Sequence, residues 1–217
     1  PQYLCRAGWE TSPPLLFCRM KIWIVTGGAA SGKSTFCRLL AELSSQVVLF
    51  SSDEAVHQIY QTPELAAVLA GVLDPSVVGE DGLVSRGALR DLAFNDPTVR
   101  RKLEDFLHPQ VFKKLSDLVQ QTREAGKAQL LIAEVPLFYE AASDFPADAV
   151  IVVASEARVQ HDRMTGERGL NADTAQRILD IQWPLRRKLE LADKVVWNEG
   201  STELLRSQAQ LLLQQIV

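Results

Sequence analysis

The most constraining feature of this chain is a glycine-rich segment that directly follows an unusually apolar strand pattern. Residues 21–26 read KIWIVT, which is β-branched and apolar on both faces, as in a parallel strand covered by helices. Residues 27–34 read GGAASGKS and satisfy the phosphate-loop pattern G-x-x-x-x-G-K-S in the strand-to-helix context that the pattern requires. The alternative is a chance glycine-rich turn, which the flanking strand and helix disfavour. The segment predicts an α/β nucleotide-binding protein with its site at the carboxyl end of this strand.

The residue types within this phosphate loop (residues 27–34) fit the chemistry of a bound triphosphate. Glycines let consecutive backbone N–H groups point at phosphate oxygens, together with the N-terminus of the next helix. Lys33 is predicted to neutralise charge on the β- and γ-phosphates, and Ser34 to offer its hydroxyl to Mg²⁺. The residues predicted to bind ATP here are Gly28, Ala29, Ala30, Ser31, Gly32, Lys33, Ser34 and Thr35.

Short apolar strands alternate with helical segments along the rest of the chain. This alternation predicts a five-stranded parallel sheet flanked by helices. The predicted strands are residues 21–26, 46–50, 129–133, 149–154 and 194–197. The predicted helices start near residue 63 or span 85–94, 96–107, 156–168, a segment after 171 running through 191, and 202–216. Since residues 58–127 carry no strand pattern, they are predicted to form an inserted helical lobe.

Two acidic residues follow predicted strands and are candidates for the chemistry. Asp53 comes just after the second strand, where a carboxylate could align an acceptor hydroxyl and take its proton. An N-cap of the following helix is an equally good interpretation of Asp53, and both roles are compatible. Glu134 ends the third strand, where it is predicted either to orient water on Mg²⁺ or to be an ordinary solvated residue.

Arginines recur before a second loop and predict a lid. Arg158, Arg163 and Arg168 are spaced by five residues. Guanidinium groups on a closing segment would stabilise the transferring phosphoryl group and exclude water. A solvated helix face is the alternative, and the phosphate loop shifts the balance towards a functional role for Arg163. The later basic run at residues 186–188 is interpreted as a solvated face, since acids lie beside it.

Composition excludes several classes of protein. The formal net charge of −4 gives no global attraction to nucleic acid or to an acidic membrane, and the apolar runs are too short to span a bilayer. Three cysteines without a pairing pattern fit a reducing compartment, so a cytoplasmic protein is expected. The three histidines lack zinc-ligand spacing, so the expected metal is Mg²⁺. Residues 1–19 lack periodicity and are predicted to be a disordered or artificial extension.

Beyond the phosphate loop, a series of short segments extends over residues 20–217. Upstream it comprises Thr26, Asp53, Asp81-Gly82-Leu83, Arg86, Leu89, Phe94, Arg101, Leu103-Glu104, His108-Pro109 and Val135-Pro136-Leu137-Phe138. Downstream it comprises Arg163, Arg168, Gln182, Pro184-Leu185, Lys188, Ala192-Asp193 and Asn198. Together these segments resemble the dephospho-coenzyme A (dephospho-CoA) kinase family.

The resemblance implies a P-loop fold like that of nucleoside monophosphate kinases. It implies a core at residues 20–57 and 128–217, a helical coenzyme A lobe at about 58–127 and a lid at about 163–172. It also implies a small, monomeric enzyme that phosphorylates the ribose 3′-hydroxyl of dephospho-CoA with ATP. The implied roles are catalysis for Thr26, Lys33, Asp53 and Arg163, ATP binding for Arg168 and Asn198, and acceptor binding for Asp53, Arg86, His108 and Pro136.

The chain departs from the family pattern without losing any of these groups. Ala30 replaces a usual glycine, so the loop is expected to be either ordinary or slightly strained there. Glu134 replaces an aspartate, and Trp183 a smaller apolar residue. Two other functions are kept as alternatives, namely a P-loop kinase for another small alcohol and an ATP-binding regulator without transfer activity.

Overall fold

The computed structural model describes residues 19–216 and contains a parallel sheet that carries the phosphate loop. The prediction for residues 1–19 therefore lies, except for Arg19, outside the described part of the chain. The five strands are β1 (Lys21–Gly27), β2 (Val47–Ser51), β3 (Leu130–Glu134), β4 (Ala149–Ala154) and β5 (Lys194–Trp197), in the spatial order β2-β3-β1-β4-β5. Every neighbouring pair is parallel, which confirms the predicted fold class.

Helices cover both faces of this sheet. They are α1 (Lys33–Leu43), α2 (Ser52–Tyr60), α3 (Pro63–Val72), α4 (Arg86–Asn95), α5 (Pro97–Ala125), α6 (Ala157–Gly166), α7 (Ala172–Ile181), α8 (Leu185–Leu191) and α9 (Thr202–Leu213), with a 3-10 turn at Pro75–Val77. In the described chain, no helix combines the length and apolar character needed to cross a bilayer.

Strand β1 divides its side chains between two cores, as a buried central strand should. Ile22 and Ile24 join the apolar cluster formed with α2 to α5, whereas Trp23 and Val25 join the cluster formed with α1 and α9. The carboxyl end of β1 is thereby held rigidly, and the phosphate loop begins there.

Two predicted helix boundaries were wrong. The helix predicted at 96–107 continues as α5 to Ala125, through Pro109. Proline inside a helix costs about 3 kcal/mol, but this helix buries Leu107, Val111 and Leu115 on one face, and each such side chain recovers about 1.5–3 kcal/mol. The helix predicted to run through Leu191 is instead divided into α7 and α8. Pro184 explains the break, since it lacks an N–H and disfavours helical backbone at the residue before it.

Candidate active site

At two positions the phosphate loop adopts a backbone conformation that favours glycine. Gly27 and Gly32 have φ angles of 145° and 94°. A Cβ atom on Gly27 would lie 2.2 Å from the Val153 carbonyl oxygen, and one on Gly32 would lie 2.0 Å from Asn198 Nδ2. Gly32 is also the N-cap of α1, so the amides of the loop and of the first helical turn face the same space.

Ala30 is the strained residue that the sequence raised as a possibility. Its φ is 53°, in the left-handed region that costs a residue with a Cβ about 1–2 kcal/mol. Its methyl group is buried against Met164 and Ala175, on α6 and α7. The burial offsets part of the strain, and it joins the loop to the predicted lid.

Lys33 lies almost completely buried beneath the loop, with 7% of its surface exposed. Its ammonium donates hydrogen bonds to the carbonyl oxygens of Gly28 at 2.8 Å and Gly27 at 3.3 Å. Burial lowers the Lys33 pKa to about 8, against the opposing effect of the Glu134 carboxylate. This ammonium is a local positive charge of the kind that phosphate binding requires.

Ser34 and Glu134 form the pair that suits a divalent cation. The Ser34 hydroxyl donates to Glu134 Oε1 at 2.7 Å, although the two residues are 100 positions apart. A hydroxyl and a carboxylate are hard oxygen donors, which Mg²⁺ prefers when phosphates supply further ligands. Within residues 19–216 no cluster of three or more His, Cys, Asp or Glu side chains could hold a metal. The pair therefore fits a cation shared with a nucleotide rather than one caged by protein alone.

Arg163 and Asn198 brace the phosphate loop from the side of α6 and β5. Arg163 donates to the carbonyl oxygens of Ala30 at 3.3 Å and Asn198 at 2.8 Å. The Asn198 side-chain amide, in turn, donates to the Ser31 carbonyl oxygen at 2.8 Å. Both residues thus contact the loop backbone directly, and α6 is tied to it through Arg163.

A cavity is bounded by α2, α5 and the segment after β3. It has a volume of about 250 Å³, and its lining includes the predicted acceptor residues Asp53, His108 and Pro136. Asp53 is not the N-cap of α2, because Ser51 occupies that position and its hydroxyl accepts from the Glu54 amide at 3.3 Å. The Asp53 carboxylate is free to face this acceptor cavity (the cavity lined by Asp53, His108 and Pro136).

Thr26 connects the phosphate loop with the acceptor cavity. It is fully buried at the end of β1, and its hydroxyl donates to the Pro136 carbonyl oxygen at 3.0 Å. This bond fixes the segment after β3 relative to the strand that carries the loop. Thr26 therefore joins the two parts of the site through this hydrogen bond.

Other predicted residues lie apart from this arrangement. Arg86 lines a separate cavity of about 420 Å³ with Tyr60 and bonds His57 Nδ1 at 3.2 Å. Arg158 and Arg168 are exposed. A cavity of about 580 Å³, larger than the acceptor cavity, is lined by residues including Ile22 and Asp148 at the amino ends of β1 and β4, the opposite edge of the sheet.

The sequence predicted no role for Gln182, before α8, or for Lys188, on α8, although both belong to the segments that resemble the family. The Gln182 side chain accepts a hydrogen bond from the Ala29 amide at 2.8 Å, and Lys188 is only 1% exposed. The interpretation of residues 186–188 as a uniformly solvated face was therefore wrong for Lys188. Helical spacing gives no clear signal, because Leu185, three residues before Lys188, is half-buried whereas Leu191, three residues after it, is 54% exposed.

A buried five-stranded parallel sheet, a phosphate loop and an adjoining acceptor cavity define a P-loop kinase. The dephospho-CoA kinase family model matches residues 22–203, and the chain belongs to that family. Dephospho-CoA kinase of Chlorobaculum tepidum is 31% identical over 198 residues, which cover 89% of this chain and 93% of that protein. The enzyme of Symbiobacterium thermophilum is 35% identical, covering 88% of this chain and 79% of that protein.

Solved structures agree with this assignment. The Thermus thermophilus protein TT1252 matches with a TM-score of 0.75 and 26% identity, covering 92% of this chain and 99% of that one. Dephospho-CoA kinase from Campylobacter jejuni matches with a TM-score of 0.59 and 26% identity, covering 91% and 98% respectively.

Proposed function

We propose that the protein transfers the γ-phosphoryl group of ATP to the ribose 3′-hydroxyl of dephospho-CoA, producing coenzyme A and ADP. The observation that carries this proposal is the position of Asp53. Asp53 lines the acceptor cavity, and its negative charge partly opposes the burial that lowers the pKa of Lys33 beneath the phosphate loop. One carboxylate is thus within electrostatic range of both substrates' sites, and family membership supplies the identity of the acceptor.

The chemistry follows from the groups around this junction. The acceptor hydroxyl oxygen forms a bond to the γ-phosphorus while the bond from that phosphorus to the β–γ bridging oxygen breaks, and ADP leaves. Asp53 aligns the hydroxyl and takes its proton. Lys33 and the loop amides stabilise the phosphate charge. Arg163, on α6, also does so when its guanidinium releases the Ala30 carbonyl and donates a hydrogen bond to a phosphate oxygen instead. Thr26 keeps Pro136, in the cavity wall, in register with the loop.

Ser34 and Glu134 would hold Mg²⁺, which supplies neutralisation of triphosphate charge when bound. In this assignment Ser34 would ligate the cation and Glu134 would orient a water molecule bound to it. Asn198 keeps an ATP-related role, but as a brace of the Ser31 carbonyl, which is the contact that its amide makes. His108 and Pro136 shape the acceptor cavity.

An acceptor panel tests the proposed function. ADP formation would be measured with ATP and Mg²⁺ and either dephospho-CoA, adenosine, pantetheine or shikimate. We expect selective turnover with dephospho-CoA. Selective turnover with another alcohol would support kinase activity but reject dephospho-CoA as the acceptor. ATP binding without turnover of any acceptor would favour an ATP-binding regulator.

A monomeric, cytoplasmic enzyme belongs to the same proposal. Among the described residues Cys37 is a buried free thiol, which is compatible with a reducing compartment. Sedimentation analysis across protein concentrations would test the monomer.

A further inference from the structure

An ion pair between Lys188 on α8 and Glu140 after β3 is buried beside the catalytic groups. Lys188 Nζ lies 2.7 Å from Glu140 Oε1, with the two side chains 1% and 14% exposed. Burying a lysine ammonium costs several kcal/mol, about as much as its attraction to one carboxylate recovers. A buried ion pair is therefore weak evidence for a purely stabilising role.

The bonding of this pair is incomplete. Glu140 Oε1 already accepts a hydrogen bond from the Trp183 amide at 3.0 Å. Lys188 Nζ lies within hydrogen-bond distance of that same oxygen, whereas Glu140 Oε2 has no hydrogen-bond partner among the described residues. An ammonium has three N–H donors, so Lys188 can attract Glu140 and still offer hydrogen bonds elsewhere.

The surroundings of Lys188 identify what it can reach. Gln182, at the start of the same segment, binds the Ala29 amide of the phosphate loop. Glu140 belongs to the segment after β3 that supplies Val135, Pro136 and Ala141 to the wall of the acceptor cavity. Lys188 is therefore anchored between the loop and that wall. Consistent with this position, burial lowers the pKa of Lys33 and the Lys188 charge adds to that lowering.

We propose that Lys188 is a second phosphate-directed cation, which Glu140 holds so that its ammonium binds the phosphoryl group passing from the loop to the acceptor cavity. This inference rests on the proposed function and adds a residue to it. A cation at this place stabilises charge that is shared between donor and acceptor, so it acts on transfer more than on ATP binding.

The matched variants are Lys188→Met, Glu140→Gln, and the two combined. Lys188→Met alone leaves a buried carboxylate without its cation and is expected to destabilise the fold. The double variant removes both charges and restores the melting temperature. Arg186→Met is the control, because Arg186 is on the same helix but its side chain is 92% exposed, paired with Glu190.

We expect kcat of the double variant to fall by about a hundredfold or more, with the KM for ATP little changed. Glu140→Gln keeps the lysine but loosens its position, so it should lose less turnover than the double variant. Arg186→Met should stay near wild-type turnover. A folded double variant with near wild-type kcat would overturn the proposal. A larger loss of kcat in Glu140→Gln than in Lys188→Met would also overturn it, because the lysine is the group proposed to bind the phosphoryl group. This comparison uses only the single variants, so it decides the matter if the double variant does not fold. The proposed function itself is tested separately, by the acceptor preference that the wild-type enzyme shows in the acceptor panel.

Discussion

The phosphate loop and the acceptor cavity are built by opposite means. Eight consecutive residues form the loop, and its shape depends on backbone that tolerates almost no added Cβ atom. The acceptor cavity instead collects Asp53, His108 and Pro136 from α2, α5 and the segment after β3. The loop therefore binds through geometry that a single methyl group can disturb, whereas the cavity binds through side chains that can be exchanged one at a time. Variants of the loop should therefore change ATP affinity, whereas variants of the cavity should change turnover with the acceptor.

Asp53→Asn should give the largest effect and separate acceptor chemistry from ATP binding. The amide keeps the size of the side chain but cannot take the hydroxyl proton, so kcat should fall by about 10²- to 10⁴-fold. ATP affinity, measured by calorimetry, should stay close to wild type because Asp53 lines the acceptor side. An active Asp53→Asn enzyme would remove Asp53 from the chemistry.

Lys33→Met should damage both binding and transfer. The buried ammonium serves the ground-state phosphates as well as the transition state, so kcat should fall by about 10²- to 10³-fold and ATP affinity should fall with it. Steady-state kinetics and calorimetry would check the two parts. Unchanged ATP affinity would show that the loop binds ATP without this charge, and would contradict the role of Lys33 in ATP binding.

Gly32→Ala should weaken ATP binding by straining the loop backbone and displacing the Asn198 amide that braces it. The new Cβ would meet Asn198 Nδ2 at 2.0 Å, and the residue would keep a φ of 94°. Strain of about 1–2 kcal/mol and loss of a hydrogen bond worth about 1 kcal/mol predict a loss of affinity of about 30- to 150-fold, or an equivalent loss of stability.

Gly126→Ala is the matched control for this prediction. Gly126 caps α5 with a φ of 65°, and nothing lies within 4 Å of its added Cβ. It should cost only the strain of about 1–2 kcal/mol in unfolding free energy and leave ATP affinity unchanged. An equal loss of ATP affinity in both variants would contradict the specific overlap at Gly32.

ATP affinity should also fall in alkaline solution. Phosphate oxygens favour the ammonium form of Lys33, so ATP binds best below the Lys33 pKa of about 8. As pH rises through that value, the free protein loses the proton and affinity should fall by up to about tenfold per pH unit. Glu134→Gln removes a charge that raises this pKa, so its decline, measured without Mg²⁺, should begin at a lower pH.

Ala30→Gly should produce the smallest change. Glycine relieves left-handed strain of about 1–2 kcal/mol, but the loss of a buried methyl costs about 0.8 kcal/mol and the freer unfolded chain about 0.5–1 kcal/mol. These contributions nearly cancel, so the unfolding free energy should change by less than about 1 kcal/mol. A large loss of stability or ATP affinity would mean that the contact of Ala30 with Met164 and Ala175 holds the lid.

The same contrast explains how far the sequence alone could predict the molecule. The sheet and the loop could be predicted because buried strands and the loop pattern are local signals in consecutive residues. The long-range contacts could not: Ser34 with Glu134 and Thr26 with Pro136 join residues 100 and 110 positions apart. Lys188 was misjudged because its basic neighbours are exposed and a charge run carries no information about which face turns inward.

Single turnover with ATP labelled at the γ-phosphorus tests the central claim most directly. The purified enzyme would be mixed with labelled ATP, Mg²⁺ and dephospho-CoA, and the products separated. We predict that the label appears in coenzyme A, on the ribose 3′-oxygen, in step with ADP. Label released only as inorganic phosphate, or retained in ATP, would contradict transfer between the phosphate loop and the acceptor cavity.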